Sequence, residues 1–483
     1  MHLKEVFCIQ NIKYNKFRDR SILSAMILNI ENLGIVKQAQ IDLSKKFILF
    51  CGKNGTGKTY ASYVLQAFLD ERNIIFPLYC IKDIINQLLA TGEFRISRSL
   101  LVEWLNAKCE NVVEDLGSIF GISDTTKEKL FSKFNLSVIY SEEDFGNTLS
   151  MPISAQMTEG AYLWKITKEK NSDVVKVDSN HDLSILATND SIRAAALICN
   201  ILRNLTMCNI SNVRMLTVER NSIYTFKTEL SLSRNELIDQ IQQTKKSDIN
   251  IFDFISRSTR RYPQAIRNSL RIANDLENVS KYDSPFAVIA ENIEQNLLLG
   301  EVSMTKNGDV EFHAQGMPKS RKLPFHLSSS IVKTMASLVI YLRHIAKQGD
   351  VLIIDEPEMN FHPDVQVLLA RLFAKLANTG LHVVMSTHSD YIVRELNNLI
   401  MAHAIKDGGI DNNVIADLGY QDSMLLDCND VCALLFDKTG KTVVRVTPMH
   451  IDKEGLAISS IDSTINNQNI AAERLYTQLQ DLD

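Results

Sequence analysis

The run Gly52-Lys53-Asn54-Gly55-Thr56-Gly57-Lys58-Thr59 sets three glycines, a lysine and a hydroxyl at fixed spacing. Glycines at 52, 55 and 57 let the backbone turn tightly and aim its N–H groups at an anion, helped by the positive end of the helix that follows. Lys58 has the reach to meet β- and γ-phosphate oxygens, and the Thr59 hydroxyl can hold a magnesium ion. Residues 52 to 59, with Tyr60 beside them, are therefore the candidate nucleotide-binding loop, and ATP with Mg2+ is the expected ligand. No guanine-reading motif follows the loop, which argues against GTP.

A second cluster comes some 300 residues later. Val351, Leu352, Ile353 and Ile354 form an apolar run of the kind seen in strands buried on both faces, and it ends in Asp355-Glu356-Pro357-Glu358. Asp355 fits the role of a magnesium ligand and Glu356 that of a group polarising an attacking water; two acids that merely cap a strand end fit the pattern as well. The next strand, Leu381 to Met385, delivers Ser386-Thr387-His388-Ser389-Asp390, so His388 can reach a γ-phosphate. Upstream, Leu327-Ser328-Ser329-Ser330 opens a helix with Met335, Leu338, Val339 and Leu342 on one side. Ser328, Ser329 and Ser330 at a helix start can hold an anion through hydroxyls, orphan N–H groups and dipole, and an ordinary serine N-cap satisfies the same pattern.

These groups need elements to carry them. Phe47 to Cys51 reads as the strand that feeds the loop, and Ala61, Val64, Leu65 and Phe68 share one face of the helix that leaves it. Pro363 starts a helix with Val365, Leu368, Leu369, Leu372 and Leu376 on one side, closed by Gly380. The pattern divides into an N-terminal extension (1–25), which an upstream extension of a gene starting naturally at Met26 would also explain; a first ATPase part (26–70); a mainly helical insertion (71–299); a second ATPase part (300–400); and a small C-terminal α/β extension (401–483). Hairpins are expected where Glu301 to Met304 meets Val310 to Phe312 across Asn307-Gly308, and around Asp437 to Gly440, before a polar helical tail from about Ser463.

The chain has 483 residues, 45% of them hydrophobic, and a net charge of −5, so no average property marks a nucleic-acid binder. Only a local cluster, Arg257, Arg260, Arg261, Arg267 and Arg271 with Tyr262, could meet nucleic-acid phosphates, and a solvated helical face explains it equally. Eight scattered cysteines read as reduced, mostly buried thiols. With neither a signal peptide nor a membrane-spanning run, a cytoplasmic protein without a membrane partner is expected. Trp104 and Trp164 read as core, and the pair Glu219-Arg220 after the strand-like Val213 to Val218 as a surface ion pair, with a guanidinium near a phosphate as the alternative.

Over residues 27 to 69 and about 300 to 400 the chain resembles the ABC-type ATPase heads of the RecF, SMC and OLD (overcoming lysogenization defect) group. GKNGTGKT is similar to the Walker A motif, VLIIDEPEMNFHP to Walker B with its catalytic glutamate and D-loop, and STHSDYIVREL to the switch-histidine segment. LSSS holds the signature position and departs from LSGG as the serine-rich versions of OLD-like ATPases do. The resemblance implies an α/β P-loop NTPase of ABC type, a mixed central sheet flanked by helices, with Glu356, His388 and Lys58 catalytic. It also implies a head-to-tail homodimer, open to higher oligomers, in which Ser328 to Ser330 of one chain cover the ATP in the other's loop.

The insertion is too short and irregular for a long coiled coil, and the overall look is similar to stand-alone ATPases of prokaryotic anti-phage systems such as Septu, PARIS and retron loci. A sensor ATPase controlling a separate effector, such as a nuclease, is thus expected; a DNA-repair or DNA-clamp ATPase and a nucleotide-gated scaffold are the alternatives. An OLD nuclease carries a C-terminal Toprim domain with an acidic metal site, and residues 400 to 483 offer no such arrangement: Glu454-Gly455 follows Lys453 rather than an apolar strand. Purified protein with magnesium or manganese is therefore expected to leave plasmid DNA intact; cleavage abolished by a mutation within 400–483 would contradict this.

Overall fold

All five residues of Val351–Asp355 are buried, as a parallel strand covered on both faces requires. The structure, a computed structural model, describes residues 12–14, 26–70, 78–159, 162–180, 183, 191–207, 210–227, 262–305, 308–318, 321–409, 413–440, 442–456 and 459–480. Among the described residues the central sheet has nine strands: β1 (Ile27–Leu33), β2 (Val36–Asp42), β3 (Phe47–Cys51), β4 (Asn135–Ile139), β5 (Val213–Leu216), β6 (Val351–Asp355), β7 (His382–Thr387), β8 (Val431–Thr439) and β9 (Val443–Pro448). They lie in the order β5-β6-β7-β3-β8-β9-β2-β1-β4. From β5 to β8 every pairing is parallel. Beyond β8 the sheet is mixed, with antiparallel pairs β8 with β9, β2 with β1 and β1 with β4.

Successive side chains of a strand point to opposite faces, and the two cores divide accordingly. Ile48, Phe50, Ile353 and Val384 pack on one side with α1 (Lys58–Leu69), while Phe47, Leu49, Leu352, Ile354, Val383 and Met385 pack on the other. The second face is covered by α2 (Ser330–Ile340), α3 (Pro363–Thr379) and α4 (Asp390–Asp407). Pro363 at the start of α3 and Gly380 at its left-handed C-cap bound that helix as expected.

Two features were not expected. Beside helices such as Arg98–Glu114, the stretch 71–299 contributes β4 and β5 to the central sheet and, among the described residues, most of a separate five-stranded antiparallel sheet. That sheet joins Ile12–Tyr14, Ile153–Glu159, Tyr162–Lys168, Val174–Ser179 and Glu93–Arg95. Its strands are short and alternate, with Ala155, Trp164, Ile166, Val175 and Val177 turned inward, so each apolar signal spans too few residues to stand out beside a helix. The C-terminal part is likewise no outlying extension: β8 pairs with the loop-bearing β3 over Val431 to Leu435, and Phe436 packs on Phe50 with ring centroids 5.3 Å apart.

Both expected strand pairs form, Gly300–Met304 with Val310–Ala314 and β8 with β9, but Asp437 to Thr439 belong to β8 and pair with Val443 to Arg445, so the second turn falls after Thr439 rather than around Asp437 to Gly440. Trp104 and Trp164 are buried. Among the described residues no helix is long and apolar enough to cross a membrane.

At the end of β6 opposite the acidic pair, Asp350 is buried, accepting hydrogen bonds from Lys347 N at 2.9 Å and Tyr341 Oη at 3.1 Å. Burial pushes its pKa up to about 6. An unfolded carboxyl titrates near pH 4, so the favourable contribution is present in full below about pH 4 and is lost as the pH rises through 6, on the order of 2 to 3 kcal/mol. Asp350→Asn should therefore flatten the pH dependence of thermal melting across that window; parallel melting profiles for the two proteins would contradict it.

Candidate nucleotide site

Two glycines of the loop are fixed by what presses on them. A Cβ on Gly52 would lie 2.3 Å from the Phe436 carbonyl oxygen of β8, and one on Gly57, which has φ 92°, would lie 2.5 Å from Val36 Cγ2. Close approach of two strands, as much as tight turning, thus demands glycine there. Thr56 Oγ1 donates to Lys53 O at 2.8 Å and braces the loop, while Lys53, Asn54 and Gly55 face solvent. No acidic residue stands in the first turn of α1, so its N–H groups and dipole are free to favour an anion. Lys58 Nζ donates to Gly52 O at 2.7 Å and Lys53 O at 3.0 Å; burial lowers its pKa, and Glu356, Asp355 and Glu358 oppose that shift.

The acidic strand end meets the loop directly. Thr59 Oγ1 donates to Asp355 Oδ2 at 2.6 Å, and Ser386 Oγ of the neighbouring β7 donates to Asp355 Oδ1. Glu356 has φ 45°, a left-handed conformation that costs a non-glycine residue about 1 kcal/mol or more. Its neighbours hold it there. Its N–H donates to Ser386 O and Oγ, both at 3.1 Å, and its carbonyl accepts from Arg220 Nη2 at 2.8 Å. Arg220 Nη1 donates to Asp355 O at 2.7 Å and Thr217 O at 2.9 Å. The pair Glu219-Arg220 is thus not a surface ion pair: Arg220 is 1% exposed, and burial lowers its pKa to about 10. Its signal was the layout of Val213 to Arg220, an apolar strand ending in charge just as β6 does.

His388, at the end of β7, brings Nδ1 within 3.8 Å of Glu356 Oε1 and 3.5 Å of Glu358 Oε1. The structure therefore brings Lys58, Thr59, Asp355, Glu356 and His388 together at the ends of β3, β6 and β7. The serines sit apart, at the head of α2. Ser328 is turned inward, its Oγ donating to Phe325 O, whereas Ser329 holds the N-cap position without a side-chain cap bond and Ser329, Ser330 and Leu327 are exposed. Tyr60 is half-exposed, with its ring 5.1 Å from Phe120 and 6.0 Å from Phe131, centroid to centroid, which pins α1 to the helical region. In the basic cluster Arg267 is spent on Ser118, donating to its carbonyl and Oγ at 2.9 and 3.0 Å; Arg257, Arg260 and Arg261 lie outside the described residues.

The donor set suits magnesium. Two adjacent oxygens from a hydroxyl and a carboxylate match an ion that takes few protein ligands and completes its shell with phosphate and water. Among the described residues no cluster of three histidine, cysteine or acidic side chains is arranged to cage a metal.

A family model described as "AAA domain, putative AbiEii toxin, Type IV TA system" matches residues 163–394, slightly under half of the chain, and takes in β6, β7 and α2. No curated protein matches. Among solved structures, the chain is similar to the SMC head domain from Thermotoga maritima, at 10% identity and TM-score 0.30, over 88% of this chain and 98% of that one. It is similar also to the Smc head domain with an extended coiled coil bound to the C-terminal domain of ScpA derived from Pyrococcus furiosus, at 11% identity and TM-score 0.31, over 92% and 98%. A third is the SmcHead bound to the C-winged helix domain of ScpA, at 12% and 0.32 over 88% and 98%. Likeness this faint says nothing of activity. The phosphate loop, the acidic strand end beside it and the mixed sheet with helices on both faces define an α/β P-loop NTPase.

Arg220→Met would orphan the buried carbonyls of Asp355 and Glu356, so a loss of about 2 to 4 kcal/mol is expected in denaturant unfolding. Adding Glu356→Gly, which adopts φ 45° without strain, should return part of that loss. Additive destabilisation, with no recovery, would contradict the clamp.

Proposed function

We propose that this protein binds ATP with magnesium and hydrolyses it at a site completed by a second copy of the chain. The observation that carries the reading is the meeting of Lys58, the Thr59–Asp355 pair, the constrained Glu356 and His388 at three adjacent strand ends. Loop N–H groups from Gly52 to Thr59 and Lys58 hold the β- and γ-phosphates. Thr59 and Asp355 hold the magnesium ion, which neutralises phosphate charge when bound. Glu356 accepts a proton from the attacking water and orients it; its fixed backbone aims the carboxylate without a reorganisation cost. His388 contacts the γ-phosphate and reports its presence. Ser329 and Ser330, exposed and uncommitted to an intrachain cap bond, together with the α2 N-terminus, suit the γ-phosphate held by a partner head.

In this reading dimer contacts last only while the γ-phosphate bridges two heads, which provides a two-state element. We place the chain as the sensor ATPase of a prokaryotic anti-phage system that controls a separate effector such as a nuclease. Two things support that: the resemblance to stand-alone defence ATPases, and the toxin-antitoxin description of the family model that matches residues 163–394.

Glu356→Gln should lower ATP turnover about 10²-fold or more while leaving ATP binding intact. Light scattering after size-exclusion chromatography should then find dimers only with ATP and magnesium. A variant that turns over ATP as the wild type does, or stays monomeric with bound ATP, would contradict the proposal.

A further inference from the structure

The acidic strand end carries a third carboxylate, Glu358, for which the steps above have no use. It is buried, with its side chain 3% exposed, and a charge so placed is costly unless it is paired. Oε1 accepts from Thr387 Oγ1 at 2.6 Å and from His388 N at 3.0 Å. Oε2 is buried without a hydrogen-bond partner. Glutamine would satisfy the same two donors at lower cost, so the two bonds do not explain a carboxylate. The His388 ring does: its Nδ1 stands 3.5 Å from Oε1, nearer than the 3.8 Å to Glu356.

We infer that Glu358 is the positioning residue for His388. It holds the histidine through the backbone N–H and sets its carboxylate against the Nδ1 side of the ring, so that Nε2 is the ring nitrogen presented to the γ-phosphate. A ring held on its Nδ1 side leaves Nε2 as the nitrogen free to meet a phosphate oxygen. Holding the ring on Glu358 also leaves the Glu356 carboxylate to the water rather than to the histidine. The assignment rests on the ATPase reading above.

The test is a double-mutant cycle on ATP turnover, with Glu358→Gln, His388→Ala and the double variant. Glu358→Gln should lower kcat by about tenfold or more, as removal of a carboxylate that orients a working histidine does elsewhere, with KM and melting temperature little changed. With His388→Ala already present, the same substitution should change kcat by less than about twofold. An equal loss in both backgrounds would make Glu358 structural, and no loss in either would leave it without a role; both outcomes overturn the inference. If Glu358→Gln does not fold, Glu358→Asp, which keeps the charge and withdraws it by one methylene, enters the cycle in its place under the same criteria. A wild-type protein that hydrolyses no ATP would instead overturn the parent reading, and the assignment with it.

Discussion

Parallel pairing at the middle of the sheet is the constraint on which the site depends. Asp355 is in register with Ser386, and Thr387 with Cys51, so β6, β7 and β3 end in one row. The strand residues before that row are mostly apolar and buried, and most of the residues just after it are polar. Carboxyl ends of parallel strands are where such a sheet can place charge without burying it unpaired. A slip of one residue in either ladder would carry Asp355 away from Thr59 and turn the core side chains to the wrong face.

The row is held by pieces distant in sequence. Arg220 comes from the long stretch between the two halves and ties down the Asp355 and Glu356 carbonyls, and Ser337 Oγ of α2 donates to the Arg220 carbonyl at 3.4 Å. The helix headed by the serines is thereby one hydrogen bond from the residue that fixes the strained glutamate. From the other side, β8 lies against β3 and leaves Gly52 no room for a side chain. The site is a product of the whole chain, although its motifs occupy little of it.

The phosphate loop, the buried β6, the helices α1 and α3 and both hairpins could be read locally because each carries its signal within a few residues: glycine spacing, continuous apolar runs, Pro363 and Gly380 as helix ends. What could not be read depends on contacts distant in sequence. The apolar strand that ends in Glu219-Arg220 marks the pair as worth attention, but nothing local says that the guanidinium meets carbonyls 135 and 136 positions away. Nothing in Val431 to Phe436 says that this strand enters the sheet beside β3 rather than a small appended unit. Glu358 stood in plain view as part of Asp-Glu-Pro-Glu, but its burial and its nearness to His388 follow only from the pairing of β6 with β7.

The most direct measurement is a crystal structure of the Glu356→Gln protein with ATP and magnesium. This account predicts the triphosphate in the Gly52–Thr59 loop, the ion on Thr59 and Asp355, and Ser329 and Ser330 of a second protomer on the γ-phosphate. A nucleotide bound elsewhere, or one bound in the loop with the serines of every neighbouring protomer turned away from it, would contradict the shared site.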